Sequence, residues 1–218
     1  MLIVIEGVDG SGKQTQADLL CKRLLASSNV KKLAFPNYES TTSALVKMYL
    51  GGEFGSKPED VNPYVASSFY AVDRIGTYLK EIKGKHDNDI IIADRYTTSN
   101  AVHQAGKLEP CERDAFLDWL FDYEYNLLGL PKPDIVVFLN MPPMFGKQLM
   151  MGRNNKITGE ENLDIHEENY EYLQNSYNTA LYVAKKYNWS IIDCVKNNEI
   201  RSIEDINNEI YNMVMSRI

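Results

Sequence analysis

The sequence predicts an α/β fold, a mostly parallel sheet covered by helices on both faces. Three observations predict it. The apolar runs Leu2-Ile3-Val4-Ile5, Ile90-Ile91-Ile92-Ala93 and Ile135 to Leu139 are continuous rather than alternating, as expected of strands buried on both faces. Longer stretches with apolar residues at helical spacing alternate with these runs, which implies parallel strands joined by helical crossovers. Between the first run and the first helical stretch lies Gly7-Val8-Asp9-Gly10-Ser11-Gly12-Lys13-Gln14-Thr15, which spells GxxxxGK. Strand, glycine-rich turn, lysine and helix together are the context of a phosphate-binding loop. The dinucleotide fingerprint GxGxxG is not spelled here, and an ordinary Gly/Ser-rich turn is the plainer alternative.

The elements follow in order. After the loop, Ala17, Leu20, Cys21, Leu24 and Leu25 recur at spacings of three and four and predict a helix. Lys31 to Phe35 reads as a short strand stopped by Pro36. A helix near Thr42 to Leu50 ends at Gly51-Gly52, and Glu53 to Pro63 is a loop rich in Gly, Pro and charge. Pro63 suits the first turn of a helix running from Tyr64 to Lys83. The strand at 90–93 ends in Asp94-Arg95-Tyr96, beyond the carboxyl end where open α/β sheets bind ligands. A helix over Glu109 to Leu128 carries Phe116, Leu117, Trp119, Leu120 and Tyr123. These aromatics read either as a subunit interface or as packing against the sheet, and packing is favoured. Pro133 and Pro142-Pro143 bracket the strand at 135–139, and Met144 to Gly152 is a short helix. The polar stretch from Arg153 to Leu163 lacks helical periodicity and reads as a lid. Asp164, with Glu167 three residues on, opens a long helix buried through Tyr170, Leu173, Tyr177, Leu181 and Ala184. Ser190 to Cys194 is the last strand, and Ser202 opens the last helix.

Composition narrows the function. A chain of 218 residues suits one domain over 1–218, with the lid at about 153–164. Its 44% apolar and 24% charged residues are those of a soluble globular protein. A net charge of −7 argues against a nucleic-acid polymer as partner but allows small anionic ligands. Cys21, Cys111 and Cys194 are odd in number and far apart, so they read as reduced thiols in a cytoplasmic protein. The first apolar run is too short for a signal peptide, and no stretch is long and apolar enough to cross a membrane.

In the phosphate loop, Gly7, Gly10 and Gly12 let the backbone curl so that N–H groups point into one concavity. The helix N-terminus adds partial positive charge and Lys13 a full one, so residues 7 and 10–15 are the candidate nucleotide-binding set. The Ser or Thr that usually follows the lysine and meets Mg²⁺ is replaced by Gln14, with Thr15 one step late. Moving a phosphoryl group onto a phosphate acceptor brings two anions together, so the task is charge neutralisation and in-line positioning. Lys13, Arg95, Arg153, Lys156 and Mg²⁺ are the candidate neutralisers. Arg95, after a strand end, can fork onto a phosphate, or it pairs structurally with Asp94. Arg153 and Lys156 are lid cations or solvated surface residues. Asp94 is the candidate metal carboxylate, while Glu6 has no clear place.

These residues converge on a family. The Glu6-Gly7-Val8-Asp9 opening, Phe35-Pro36, Tyr70-Ala71-Val72-Asp73-Arg74, Asp94-Arg95-Tyr96 with Ser99-Asn100, and a lid followed by Asp164 run nearly end to end. The chain resembles the thymidylate kinases, P-loop nucleoside-monophosphate kinases. The resemblance implies a three-layer P-loop NTPase fold with a five-stranded parallel sheet, transfer of a phosphoryl group from ATP to dTMP with Mg²⁺, and a homodimer. It also implies roles. Asp9 would hold the acceptor's 3′-hydroxyl, against a plainer reading as a turn residue. Phe35, Pro36, Tyr38 and Ser99 would border the acceptor. Tyr70 would stack on the base, Arg74 would read the pyrimidine carbonyl, and Asn100 would offer donor and acceptor to the base edge. His103 would crowd the 2′ position or be a solvated helix histidine.

Two departures from common family patterns stand out. No Arg lies near Asn37-Tyr38, and Gly10 replaces an Arg after the loop aspartate. Both shift the required positive charge to the lid, to Arg153 first and Lys156 second. A related kinase for another nucleoside monophosphate or a deoxynucleoside is the rival enzyme reading. A nucleotide-dependent switch is the rival from another class, disfavoured because a switch needs no acceptor pocket.

Overall fold

The computed structural model of the chain describes residues 1–150 and 170–218. Strands β1 (Leu2–Glu6), β2 (Val30–Ala34), β3 (Ile90–Asp94), β4 (Ile135–Asn140) and β5 (Ser190–Asp193) form one sheet in the order β2-β3-β1-β4-β5. Every pairing in it is parallel, with Ile5 beside Asp94 on one side and beside Val137 on the other. The chain leaves central β1 with neighbours from both halves of the sequence. Its carboxyl end is therefore the switch point where a crevice opens.

Helices cover both faces. Alternate residues of β1 face opposite ways. Ile3 and Ile5 pack with Ile92, Val137 and Leu139 under α1 (Lys13–Leu24) and α8 (Ile203–Met215). Leu2 and Val4 pack on the other face with Leu33, Ile91, Ala93 and Tyr96, beside the end of α3 (Pro63–Glu81). That face is completed by α4 (Thr97–His103), α5 (Arg113–Phe121) and α7 (Tyr170–Lys186), through Val102, Phe138, Val183 and Ala184. The three-layer arrangement expected from the alternating pattern is the one observed. Helices α2 (Ala44–Leu50) and α6 (Pro143–Met150) flank the carboxyl ends of the strands. Caps start the helices where the sequence places them: Asn62 accepts from Tyr64 N at 2.9 Å, and Ser202 accepts from Asp205 N at 3.1 Å.

Three features differ from the sequence reading. α4 follows Arg95 directly, although Thr97-Thr98-Ser99-Asn100 is a poor helix-forming run. The helix expected over 109–128 is shorter at its start, and at Asp122–Leu127 it widens into a π turn closed by Leu128 N bonding Tyr123 O at 2.9 Å. A small antiparallel ribbon, β6 (Val195–Lys196) with β7 (Glu199–Ile200), turns through Asn197 and Asn198 at φ 53 and 61. Phe116, Leu117 and Leu120 are fully buried within the chain, but against α4 and α7 rather than the sheet, and Trp119 and Tyr123 are only half-buried. The lid at 153–164 and the helix start at Asp164 lie outside the described residues.

Candidate active site

The phosphate loop is set by backbone conformation. Gly12 at φ 83 turns the chain into α1, and Gly10 holds φ 78, both in a region that L side chains rarely adopt. Gly10 has a second constraint, because a Cβ there would run into the backbone of Gly146 in α6. Gly7 lies tight against the Ser11 side chain. Lys13 is 7% exposed, and its Nζ donates to Val8 O at 2.9 Å and lies 4.0 Å from Asp9 Oδ1. Burial and the nearby Arg95 charge bring its amine down to about 8, against the pull of Asp9, Asp94 and Glu6. Ser11 Oγ is buried with no hydrogen-bond partner among the described residues. Gln14 and Thr15 are exposed on the first turn of α1.

β3 delivers the second half of the site. Arg95 follows it at φ 67, a strained position for a non-glycine residue, with its N–H bonded to Ile5 O at 3.1 Å. Its guanidinium forms an ion pair with Asp9 Oδ1, meets His103 Nε2 at 3.0 Å and reaches Ser99 Oγ at 3.4 Å. Burial disfavours the Arg95 charge, but Asp9, Glu6 and Asp94 outweigh it and hold its pKa above the ordinary range. The structural pairing considered for Arg95 is therefore with Asp9 and not with Asp94. His103 is 6% exposed and stacks near Tyr172 with centroids 6.0 Å apart, so it is no solvated helix histidine. Burial first, then the Arg95 charge, pushes its pKa down to about 3. It is neutral, and with Nε2 accepting from Arg95 the ring proton sits on Nδ1.

Glu6 gains a place that the sequence did not give it. Fully buried, it accepts from Gly7 N at 2.9 Å through Oε1, and from Thr98 Oγ1 at 2.7 Å and Ser99 Oγ at 2.8 Å through Oε2. One carboxylate thus ties the start of the phosphate loop to the start of α4. This also explains why α4 forms on poor helix-forming residues.

The residues expected to border an acceptor come from the end of β2, α3 and α4. Phe35 N bonds Asp94 O at 2.9 Å, the Phe35-Pro36 bond is cis, and the Phe35 ring meets Tyr96 at 5.8 Å. Asp73 is 1% exposed and accepts from Asn37 N at 2.8 Å and from Thr42 Oγ1 at 2.7 Å, fixing the Pro36–Tyr38 turn on α3. Tyr38 and Tyr70 are half-buried, and Tyr70 packs edge-on to Tyr49 at 6.3 Å. Asn100 Nδ2 donates to Ser67 O at 3.2 Å. Arg74 is fully buried, and its guanidinium forms two bonds to Glu124.

Asp9, Lys13, Arg95, Ser99 and His103 converge at the ends of β1 and β3. Arg74 stands apart from that group, and Arg153 and Lys156 lie outside the described residues. Sequence reasoning missed Thr98, Asp73 and Glu124. Glu124 carried a signal, since it lies four residues after Leu120 and eight after Phe116, where the stripe is otherwise apolar.

The residues present fit a magnesium ion. Asp94 is 6% exposed and its Oδ1 has no hydrogen-bond partner among the described residues, so a carboxylate oxygen is available in a buried position at the end of β3. Mg²⁺ keeps several waters and is commonly held by one or two carboxylates plus substrate phosphates. Such an ion needs few protein ligands, and among the described residues no three His, Cys, Asp or Glu side chains gather to hold one.

Comparison with known proteins gives one result. The family model described as thymidylate kinase matches residues 5–210. The thymidylate kinase of Mycobacterium tuberculosis (strain ATCC 25618 / H37Rv) is 34% identical over 177 residues, covering 80% of this chain and 81% of that protein. The thymidylate kinase of Plasmodium falciparum (isolate 3D7) is 31% identical over 210 residues, covering 95% and 86%. A probable thymidylate kinase of Methanocaldococcus jannaschii is 30% identical over 210 residues, covering 96% and 93%.

Proposed function

The chain belongs to the thymidylate kinase family, and from that premise we propose how it moves a phosphoryl group from ATP to dTMP. It is a phosphotransferase that converts ATP and dTMP to ADP and dTDP. The observation that carries the proposed site is the gathering of Lys13 and Arg95 around Asp9 at the switch point of the sheet.

A monophosphate acceptor has a second pKa near 6 and is largely dianionic at neutral pH, so it needs little help from a general base. Charge neutralisation is the main work. The loop N–H groups and the start of α1 receive the donor phosphates, and Lys13 reaches the terminal ones. The fork of Arg95 faces the acceptor phosphate, which competes with Asp9 for it. Asp9 then accepts the 3′-hydroxyl of the sugar. Asp94 and Gln14 would hold Mg²⁺, which would supply positive charge against the donor phosphates. Tyr70 stacks on the base, Arg74 donates to its carbonyl and Asn100 completes the edge. Neutral His103, held by Arg95, fills the space beside the sugar. Arg153 and Lys156 supply charge to the transferring group.

The enzyme acts in the cytoplasm as a homodimer on small nucleotides. No helix among the described residues is long and apolar enough to cross a membrane. Val65, Val72 and Leu79, exposed by 47%, 46% and 53%, recur every seven residues along α3 and give it an apolar outer stripe suited to a second copy.

A coupled assay with Mg-ATP and dTMP, dUMP, dCMP, dGMP or dAMP tests the acceptor reading. dTMP gives the highest initial rate if it is right. A faster rate with dCMP or a purine monophosphate defeats it, and turnover independent of any acceptor points to a switch instead.

A further inference from the structure

Among the described residues, a fully buried charge pair joins α3 to the π turn. Arg74 on α3 is 1% exposed and Glu124 in the π turn is 0% exposed. Arg74 Nε donates to Glu124 Oε2 at 2.7 Å and Nη2 donates to Oε1 at 2.5 Å, a two-pronged contact that fixes the guanidinium plane. The carboxylate is itself held, because Thr97 Oγ1 donates to Oε2 at 2.7 Å. Nη1 of Arg74 reaches Tyr96 O at 3.4 Å, next to Arg95 in the chain.

Stability alone gives no reason for this pair. A buried ion pair replaced by apolar residues of similar volume is often neutral or more stable. A pair that is bidentate and oriented by a third side chain holds its guanidinium in one fixed plane. Glu124 sits where the helix departs from α geometry, and such π turns recur at functional sites.

We propose that Glu124 is a positioning residue for the acceptor base, acting through Arg74 with Thr97 as its own support. The proposal rests on the reading of Arg74 as the donor to the pyrimidine carbonyl. Glu124 occupies Nε and one Nη2 hydrogen and Tyr96 O takes one on Nη1, so the fixed guanidinium plane directs the one hydrogen left on each Nη. A thymine carbonyl accepts there, whereas a cytosine amino group does not. Glu124 therefore sets discrimination between dTMP and dCMP without touching either.

The test measures KM and kcat for dTMP, dCMP and ATP in Glu124→Gln, Glu124→Asp, Thr97→Val and Arg74→Lys, with thermal melting alongside. Glu124→Gln is expected to raise KM for dTMP at least about tenfold, the scale of a lost charge-assisted bond. The dTMP-over-dCMP preference should narrow by a similar factor, with kcat and KM for ATP within about threefold of the parent. Glu124→Asp should recover part of the preference, and Thr97→Val should lose a smaller part. If kcat and KM for ATP decline in step with KM for dTMP, Glu124 is only a structural residue and the proposal falls. If Glu124→Gln does not fold, Thr97→Val decides, and an unchanged preference in it overturns the proposal. Arg74→Lys separates the two layers. A preference unchanged in Arg74→Lys defeats the reading of Arg74, whereas a preference lost there but kept in the Glu124 variants defeats the positioning role alone.

Discussion

Asp9 and Arg95 stand 86 positions apart in the chain and form an ion pair across the mouth of the phosphate loop. They meet because β1 and β3 are parallel neighbours, so their carboxyl ends release these residues side by side. Arg95 holds φ 67 there, a conformation that costs roughly 1–3 kcal/mol and that the surrounding contacts must sustain.

Asp9→Asn keeps the size of the side chain and removes its charge. Catalytic efficiency with dTMP should fall at least about tenfold, since a charge-assisted bond contributes roughly 1.5–3 kcal/mol. A 3′-deoxy acceptor should lose much less. Equal losses with both acceptors would mean that Asp9 serves Arg95 and not the sugar.

Burial and the Arg95 charge lower the Lys13 pKa to about 8, so its charge is lost as pH rises through that value. ATP phosphates favour the charged amine. Binding therefore takes up a proton above pH 8, and ATP affinity at about pH 9 should be roughly tenfold weaker than at about pH 7. Lys13→Met should bind weakly with no such slope. A parent enzyme whose ATP affinity does not change across this range contradicts the buried, low-pKa amine.

His103 acts on stability in the acid direction. Its pKa is about 3 in the folded chain against 6.5 for a free imidazole, so the unfolded state takes up its proton first as pH falls. Stability conferred by neutral His103 is complete above the unfolded value and drains away below it. The parent should lose about 2 kcal/mol more than His103→Gln between about pH 7.5 and about pH 5. Urea melts at the two pH values measure this, and parallel losses would show that His103 is accessible to protons in the fold.

Arg153→Ala should lower turnover far more than it weakens ATP binding, because an arginine brought to a transferring phosphoryl group is worth about 10³–10⁵ in rate. A variant within about threefold of the parent means that Arg153 does not supply this charge, and Lys156 is the next to change.

Gln14→Ser should retain activity and reach half-maximal rate at lower free Mg²⁺, since a short hydroxyl has fewer rotamers to fix than an exposed amide. Asp94→Asn should raise the magnesium requirement steeply, because it removes charge from the available buried oxygen. Magnesium titrations at saturating ATP decide both. A Gln14→Ser enzyme that needs more magnesium than the parent means that the glutamine is a well-set direct ligand.

Much of the sheet was legible in the sequence because continuous runs such as Ile90 to Ala93 have few other uses. Their order was not, since it depends on which strands pair across the chain. α4 was illegible for a local reason: Thr97 to Asn100 lack helix preference, and the bonds from Glu6 to Thr98 and Ser99 come from 92 and 93 residues away. The loop glycines and Lys13 announce themselves by spacing. The partner of Arg95 does not, because adjacent Asp94 is the nearer carboxylate in sequence and Asp9 the nearer in space. Glu124 was hidden by its company, one acid on an otherwise apolar stripe whose counter-charge sits 50 residues earlier.

Gly10 lies against the backbone of Gly146, and a Cβ on Gly146 would in turn crowd Asp9 O at 2.8 Å. The two positions therefore form one close main-chain contact. A lineage that acquired an arginine at position 10 would first have to part α6 from the loop, and a side chain at 146 would press on the loop that carries Asp9. Neither step is neutral by itself. Side chains at both positions would sum these clashes rather than relieve them, so the seat of Asp9 is fixed by a contact between two main chains.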